Sequence, residues 1–170
     1  MMDAEIWKPV LGYEGLYEVS SIGRVRTVER VVRGGRTPTS SRTVPAKVRK
    51  VSAHVNGGHL WLKLHRNGVR TPRFVHRLVL EAFVGEQPEG RNEVRHLDGN
   101  PANNRVENLA YGTHAENVAD MLEHGTHRNS RKSECKWGHP FDGMNTYIRP
   151  DGNRDCRACA KARKDGSRAA

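Results

Sequence analysis

The sequence predicts an α+β chain assembled from small modules, on three observations. Between Val94 and His124 the residues VRHLDGNPANNRVENLAYGTHAENVADMLEH read as strand, turn, strand and helix within one short stretch. Upstream of it, short apolar runs alternate with Gly- and Asn-containing turns. Downstream, all three cysteines fall after Gly125, in the spacings Cys135-x3-His139 and Cys156-x2-Cys159.

Composition bounds the classes that remain. With 170 residues, 35% hydrophobic and 6% aromatic, and a mean hydropathy of -0.78, the chain can build one or two small cores joined by polar segments. It contains no signal-peptide apolar region and no long apolar run, so a soluble, cytoplasmic protein without a membrane partner is expected. A net charge of +10 points to an acidic partner, nucleic acid by default, and basic residues cluster between Arg24 and Lys50.

Taken in order, residues 1–28 form the first module. Ile6 to Val28 alternates aromatic and apolar residues with Gly turns, which predicts two or three short strands around a mini-core of Trp7, Tyr13, Tyr17 and Val19. Arg24 and Arg26 share one side of an extended segment, where they either track phosphates or form a solvated strand face. Residues 29–55 lack sustained periodicity and are rich in Arg, Thr, Ser, Gly and Pro, so an extended or disordered basic linker is expected. Along it Arg30, Arg33, Arg36, Arg42, Lys47, Arg49 and Lys50 either line a DNA groove or solvate a tether.

Residues 56–127 form the third segment. His59 to His65 alternates, and Asn67-Gly68 between two extended runs predicts a hairpin. Leu60, Leu62 and Leu64 then face a core. Trp61, Lys63 and His65 face outward beside Arg70 and Arg73, and such a basic ribbon, with Arg66 at its tip, can enter a major groove. Val75 to Phe83 reads as a helix with Val75, Leu78, Val79, Ala82 and Phe83 on one face; His76 reads as structural or phosphate-contacting.

The ββα stretch follows. Val94 to Leu97 and Val106 to Tyr111 are expected strands around a DGNP turn, and Thr113 with Glu116 makes a capping box for a helix that Gly125 ends. The stretch places His96 on a strand and Asn117 one turn into the helix.

Residues 128–170 carry three Cys and one His at ligand spacing. Cys135, His139, Cys156 and Cys159 predict a closed tetrahedral Zn²⁺ site, structural rather than catalytic, in a small ribbon with a hairpin turn at Pro150 to Asn153.

His96, the DGN turn, Asn104, Asn108-Leu109 and Thr113-His-x-Glu-Asn117 together resemble the HNH endonuclease motif, in the branch found in phage and intron-encoded homing endonucleases. The pattern WKP, GYEGLYEVS and GRVR near the start resembles the DNA-binding module that accompanies that branch, and HRLV-x-EAF resembles its segment before the ββα unit. The cysteine-bearing tail is similar to one on actinobacterial phage members.

The resemblance implies a ββα-metal nuclease acting on double-stranded DNA. His96 would be the general base, Asn108 would hold the turn, and Asn117 would help bind one Mg²⁺ or Mn²⁺. The residue types suit that chemistry: imidazole titrates near neutrality, and a hard cation offsets phosphate charge through oxygen ligands. One position departs from the pattern. Many relatives carry Asp or Asn just before the base, and here it is Arg95, which cannot ligate a metal. Asp98, two residues along the same extended face, is the expected substitute, with Asp120 as the weaker one. A monomer is expected. Arg95 keeps open the alternative of a DNA-binding or packaging-associated protein without catalysis; an RNA-directed protein is the third reading.

Overall fold

The computed structural model describes residues 4–34, 40–127, 129, 131–150 and 153–166. Arg36 and the centre of the Pro150 to Asn153 turn lie outside these residues. The chain divides into two compact units, Met1–His124 and Gly125–Ala170.

In the first unit, β1 (Trp7–Pro9), β2 (Tyr17–Ser20) and β3 (Val25–Thr27) form an antiparallel sheet. Segment 29–55, expected to be irregular, instead carries β4 (Arg30–Arg33), β5 (Ser41–Val44), β6 (Lys47–Val48) and β7 (Ser52–Ala53). The first two pair with each other, and β6 adds to the edge of β3. Backbone pairing, with little side-chain burial, orders this polar segment: β5 is almost wholly exposed, yet every residue of it has a partner in β4.

The predicted hairpin is β8 (Leu60–Arg66) with β9 (Val69–Phe74), and β7 pairs outside β8. Asn67 and Gly68 both take positive φ, 51° and 79°, as a two-residue turn between right-twisted strands requires. Helix α1 (Val75–Phe83) follows directly and buries Val75, Leu78, Val79 and Leu80.

The ββα unit is β10 (Glu93–His96), β11 (Leu109–Gly112) and α2 (His114–Glu123). Its second strand begins later than the alternation predicts, because Val106–Asn108 turns as a single 3₁₀ turn. The Thr113 capping box is complete in both directions.

One core runs through the first unit, from Val10, Tyr17, Val19 and Val25 through Leu62, Leu64 and α1 to Leu109 and Tyr111. Segments 1–28 and 56–127 therefore share a single interior. Tyr13, Tyr17 and Val19 are in it, but Trp7 is only half-buried, with Arg24 and Arg26 stacked over its ring. A glycine contact fastens the N-terminal sheet to the ββα turn: Gly23 lies against Asn104, and Val106 N donates to the Ser21 carbonyl at 2.8 Å.

The second unit contains an antiparallel pair, β12 (Thr146–Ile148) and β13 (Arg154–Cys156), and a helix α3 (Arg157–Lys164). The helix was not expected from sequence; its start is tied to the cysteines, since Cys156 Sγ accepts from Cys159 N. Among the described residues no helix is long and apolar enough to cross a membrane.

Candidate active site and metal centre

Strand alternation sorts the site residues. Glu93 and Arg95 reach one side of β10, toward α2, while Val94 and His96 turn inward. On the α2 side Asn117 donates to the Glu93 carboxylate at 2.5 Å, and His114 Nδ1 lies 2.7 Å from the other Glu93 oxygen. Arg95 makes a two-pronged pair with Asp120, at 2.6 and 2.7 Å. Gly112 leaves room for this: a Cβ there would collide with the Arg95 side chain.

His96 is 8% exposed, and its Nε2 is buried without a hydrogen-bond partner among the described residues. Burial lowers its pKa first and the neighbouring His59 adds to the fall; Asn104 and Asp98 act in the opposite direction. The ring is therefore held neutral, with a lone pair to give. No hydrogen bond joins His96 to Asn117, whose amide nitrogen is taken by Glu93.

Asp98 is engaged within the turn that follows β10. Its carboxylate accepts from Asn100 N at 2.8 Å, Asn103 Nδ2 at 2.7 Å and Asn108 Nδ2 at 2.9 Å. These donors, the Asn103 amide first, hold its carboxyl down at about 2. Asn108 completes the clamp by accepting from Asp98 N at 3.0 Å and donating to the Asn103 carbonyl at 2.9 Å. The connection between β10 and β11 is thus closed by side chains reaching across it.

The oxygen donors on the α2 side are Glu93 and Asn117, a carboxylate and an amide that suit a hard divalent ion. Sequence reasoning missed Glu93. Its signal was available: it lies two residues before Arg95 on the same strand face.

The predicted DNA-contacting residues divide into two groups. Arg24 pairs with Glu5, Arg26 with Glu18 at 2.6 Å, Arg73 with Glu81 at 2.5 Å, and Arg66 donates to the Gly12 carbonyl. These four are committed within the fold. Lys63, His65 and Arg70 stay exposed on the outer face of the β8–β9 hairpin, with His65 directly across from Arg70.

In the second unit the four expected ligands converge. Cys135 Sγ lies 3.5 Å from His139 Nδ1 and 3.6 Å from Cys159 Sγ; His139 Nδ1 is 3.2 Å from Cys159 Sγ and 3.6 Å from Cys156 Sγ. A tetrahedral ion with bonds of about 2.3 Å to sulfur and 2.0–2.1 Å to nitrogen sets roughly 3.4–3.8 Å between ligand atoms. Three of the four distances fall in that range, and the His139–Cys159 distance lies 0.2 Å below it. Backbone N–H groups of Trp137 and Cys159 point at Cys135 and Cys156 sulfur, at 3.3 and 3.4 Å, and would help hold thiolate charge.

Residues 73–119 match the HNH endonuclease family and residues 5–71 match the NUMOD4 motif. The DNA endonuclease I-HmuI of Bacillus phage SP01 is 33% identical over 120 residues, covering 71% of this chain and 59% of that protein. An HNH endonuclease of Acanthamoeba polyphaga mimivirus, L245, is 27% identical over 142 residues, 84% of this chain and 36% of that protein. The chain therefore spans between about a third and three fifths of these two relatives. The solved structure described as DNA binding and cleavage by the HNH homing endonuclease I-HmuI superposes with a TM-score of 0.57 at 26% identity, covering 97% of this chain and 92% of that one. With its strand-turn-strand-helix unit intact and both matches adjoining, this chain belongs to the HNH endonucleases, with an N-terminal NUMOD4 element.

Proposed function

We propose that this protein hydrolyses phosphodiester bonds of double-stranded DNA, with His96 as general base. The observation that carries the reading is the HNH match over residues 73–119, which coincides with a largely buried imidazole that burial holds neutral. A neutral imidazole takes a proton from water as the water attacks phosphorus.

Asn117 and Glu93 are the residues that would hold a Mg²⁺ or Mn²⁺ ion, with Glu93 in place of the acid that Arg95 displaces. When bound, that ion offsets charge on the phosphate and the leaving oxygen. Asn108 keeps the turn that aims His96, and Asp98 is part of the same clamp. Lys63, His65 and Arg70 meet the DNA backbone along the exposed hairpin face. The Cys3His site of the tail takes a structural Zn²⁺, since all four positions are filled by protein ligands.

The test is cleavage of supercoiled plasmid in Mg²⁺ or Mn²⁺. His96→Ala should lower the rate by about 10²–10⁴ and leave duplex affinity nearly unchanged; full cleavage by the variant rules out the assignment. The Arg95–Asp120 pair supports a second reading, a DNA-binding protein without catalysis. Intact plasmid after incubation of wild-type protein with either ion would favour it.

A further inference from the structure

Three histidines from three separated parts of the first unit meet at one point. His59 precedes β8, His76 sits in the first turn of α1, and His96 ends β10. Their ring centroids are 5.0, 5.2 and 5.3 Å apart pairwise. One nitrogen from each ring lies within 4.8 Å of one from each of the others. His76 and His96 are more than nine-tenths buried, and Phe74 stacks on His76 with an interplanar angle of 4°.

The polar atoms in this cluster are unsatisfied. His59 Nδ1, His76 Nδ1 and His96 Nε2 are each buried with no hydrogen-bond partner among the described residues. Buried polar nitrogens are nearly always paired, so three orphans, one on each ring of a single cluster, call for a ligand that accepts lone pairs. A proton source satisfies one of them; a metal ion satisfies all three.

We propose that His59, His76 and His96 form a second metal site, for a single borderline transition ion of the Zn²⁺ class, with a fourth position left open. Imidazole nitrogen selects such ions over Mg²⁺, which prefers oxygen and keeps its water. Bonds of about 2.0–2.1 Å at tetrahedral angles need roughly 3.4 Å between nitrogens, a contraction that χ rotation of the half-buried His59 allows. The site is separate in ligand type and in strand face from the Glu93–Asn117 oxygen pair. It shares His96 with the cleavage chemistry. If the proposed nuclease function holds, Zn²⁺ here occupies the lone pair that takes the proton, and the ion acts as an inhibitor of cleavage.

The experiment measures bound zinc per chain after equilibration with Zn²⁺ and desalting, in wild type and in His59→Leu, which keeps the volume and removes the ligand. Wild type should hold one more zinc per chain than the variant, whatever the tail contributes. Equal stoichiometry in a variant whose circular dichroism matches wild type overturns the site. Should His59→Leu fail to fold, the ¹⁵N imidazole resonances of wild type decide: Zn²⁺ must shift those of His59, His76 and His96 together, and unmoved rings overturn the proposal. In plasmid cleavage, the zinc concentration giving half inhibition should rise at least about tenfold in His59→Leu. Absence of cleavage in wild type with Mg²⁺ defeats the nuclease reading alone, and the zinc difference still decides this one.

Discussion

Replacing Gly23 by Ala isolates the contact that joins the N-terminal sheet to the turn after β10. Two costs add at this position. Gly23 has φ +82°, a conformation that costs an L residue on the order of 1–2 kcal/mol. A Cβ there would also sit 2.6 Å from Asn104 Cβ and 2.9 Å from the Asn104 carbonyl oxygen. Backbone is among the colliding atoms, so the clash cannot be relieved by one rotamer, and overpacking of this kind costs about 1–3 kcal/mol. Gly15 is the internal control: its φ is +70°, and nothing lies within 4 Å of the added methyl. Gly15→Ala should therefore lose only the conformational part, about 1–2 kcal/mol, and Gly23→Ala a total of about 2–5 kcal/mol. Urea unfolding of the full chain, followed by Trp7 and Trp61 fluorescence in a Trp137→Phe background, gives both numbers. Asn104 is 3% exposed and adjoins His96, so Gly23→Ala should also slow plasmid cleavage, whereas Gly15→Ala should not. Equal destabilisation by the two substitutions would refute the idea that the sheet braces the turn.

The other predictions concern the turn, the strand face and the tail. Asn108→Ala leaves Asp98 N, an Asp98 carboxylate oxygen and the Asn103 carbonyl short of a partner, and should cost about 1–3 kcal/mol with loss of cleavage; urea midpoints and plasmid nicking check it, and an unchanged midpoint would count against the clamp. Arg95→Asp with Asp120→Asn removes the ion pair and places an acid next to His96, the proposed base, so the Mg²⁺ concentration needed for half-maximal cleavage should fall; an unchanged or higher requirement would mean that Arg95 does not exclude a ligand. Stripping zinc with a strong chelator should abolish the NMR dispersion of residues beyond Gly125 and spare that of the first unit, because ligand bonds supply the folding energy that the thin tail core lacks; a tail that stays folded without metal would contradict this.

The elements carried by local chemistry were legible in the residues themselves. Asn67-Gly68 specifies a turn with two positive φ angles, Thr113 and Glu116 satisfy each other's backbone neighbours, and Val75 to Phe83 repeats its apolar residues at helical spacing; all three sit where the pattern puts them. The Cys and His spacings in the tail were equally local, and the four ligand atoms converge. Helix α3 escaped because its mostly basic and alanine residues offer little apolar stripe, and Cys156 caps it by way of sulfur.

What the sequence by itself determined was the set of short-range elements and the ββα unit with His96 in it, since hydrogen bonds and periodicities a few residues long leave a local trace. Tertiary structure alone decided three things: that Glu93 partners Asn117, that Arg95 is bound to Asp120, and that His59 and His76 close around His96. Each of these joins residues about twenty or more positions apart, whose meeting depends on strand register and on a core shared from Val10 to Tyr111. Spacing along a chain carries no record of a contact that only the packing of distant segments creates.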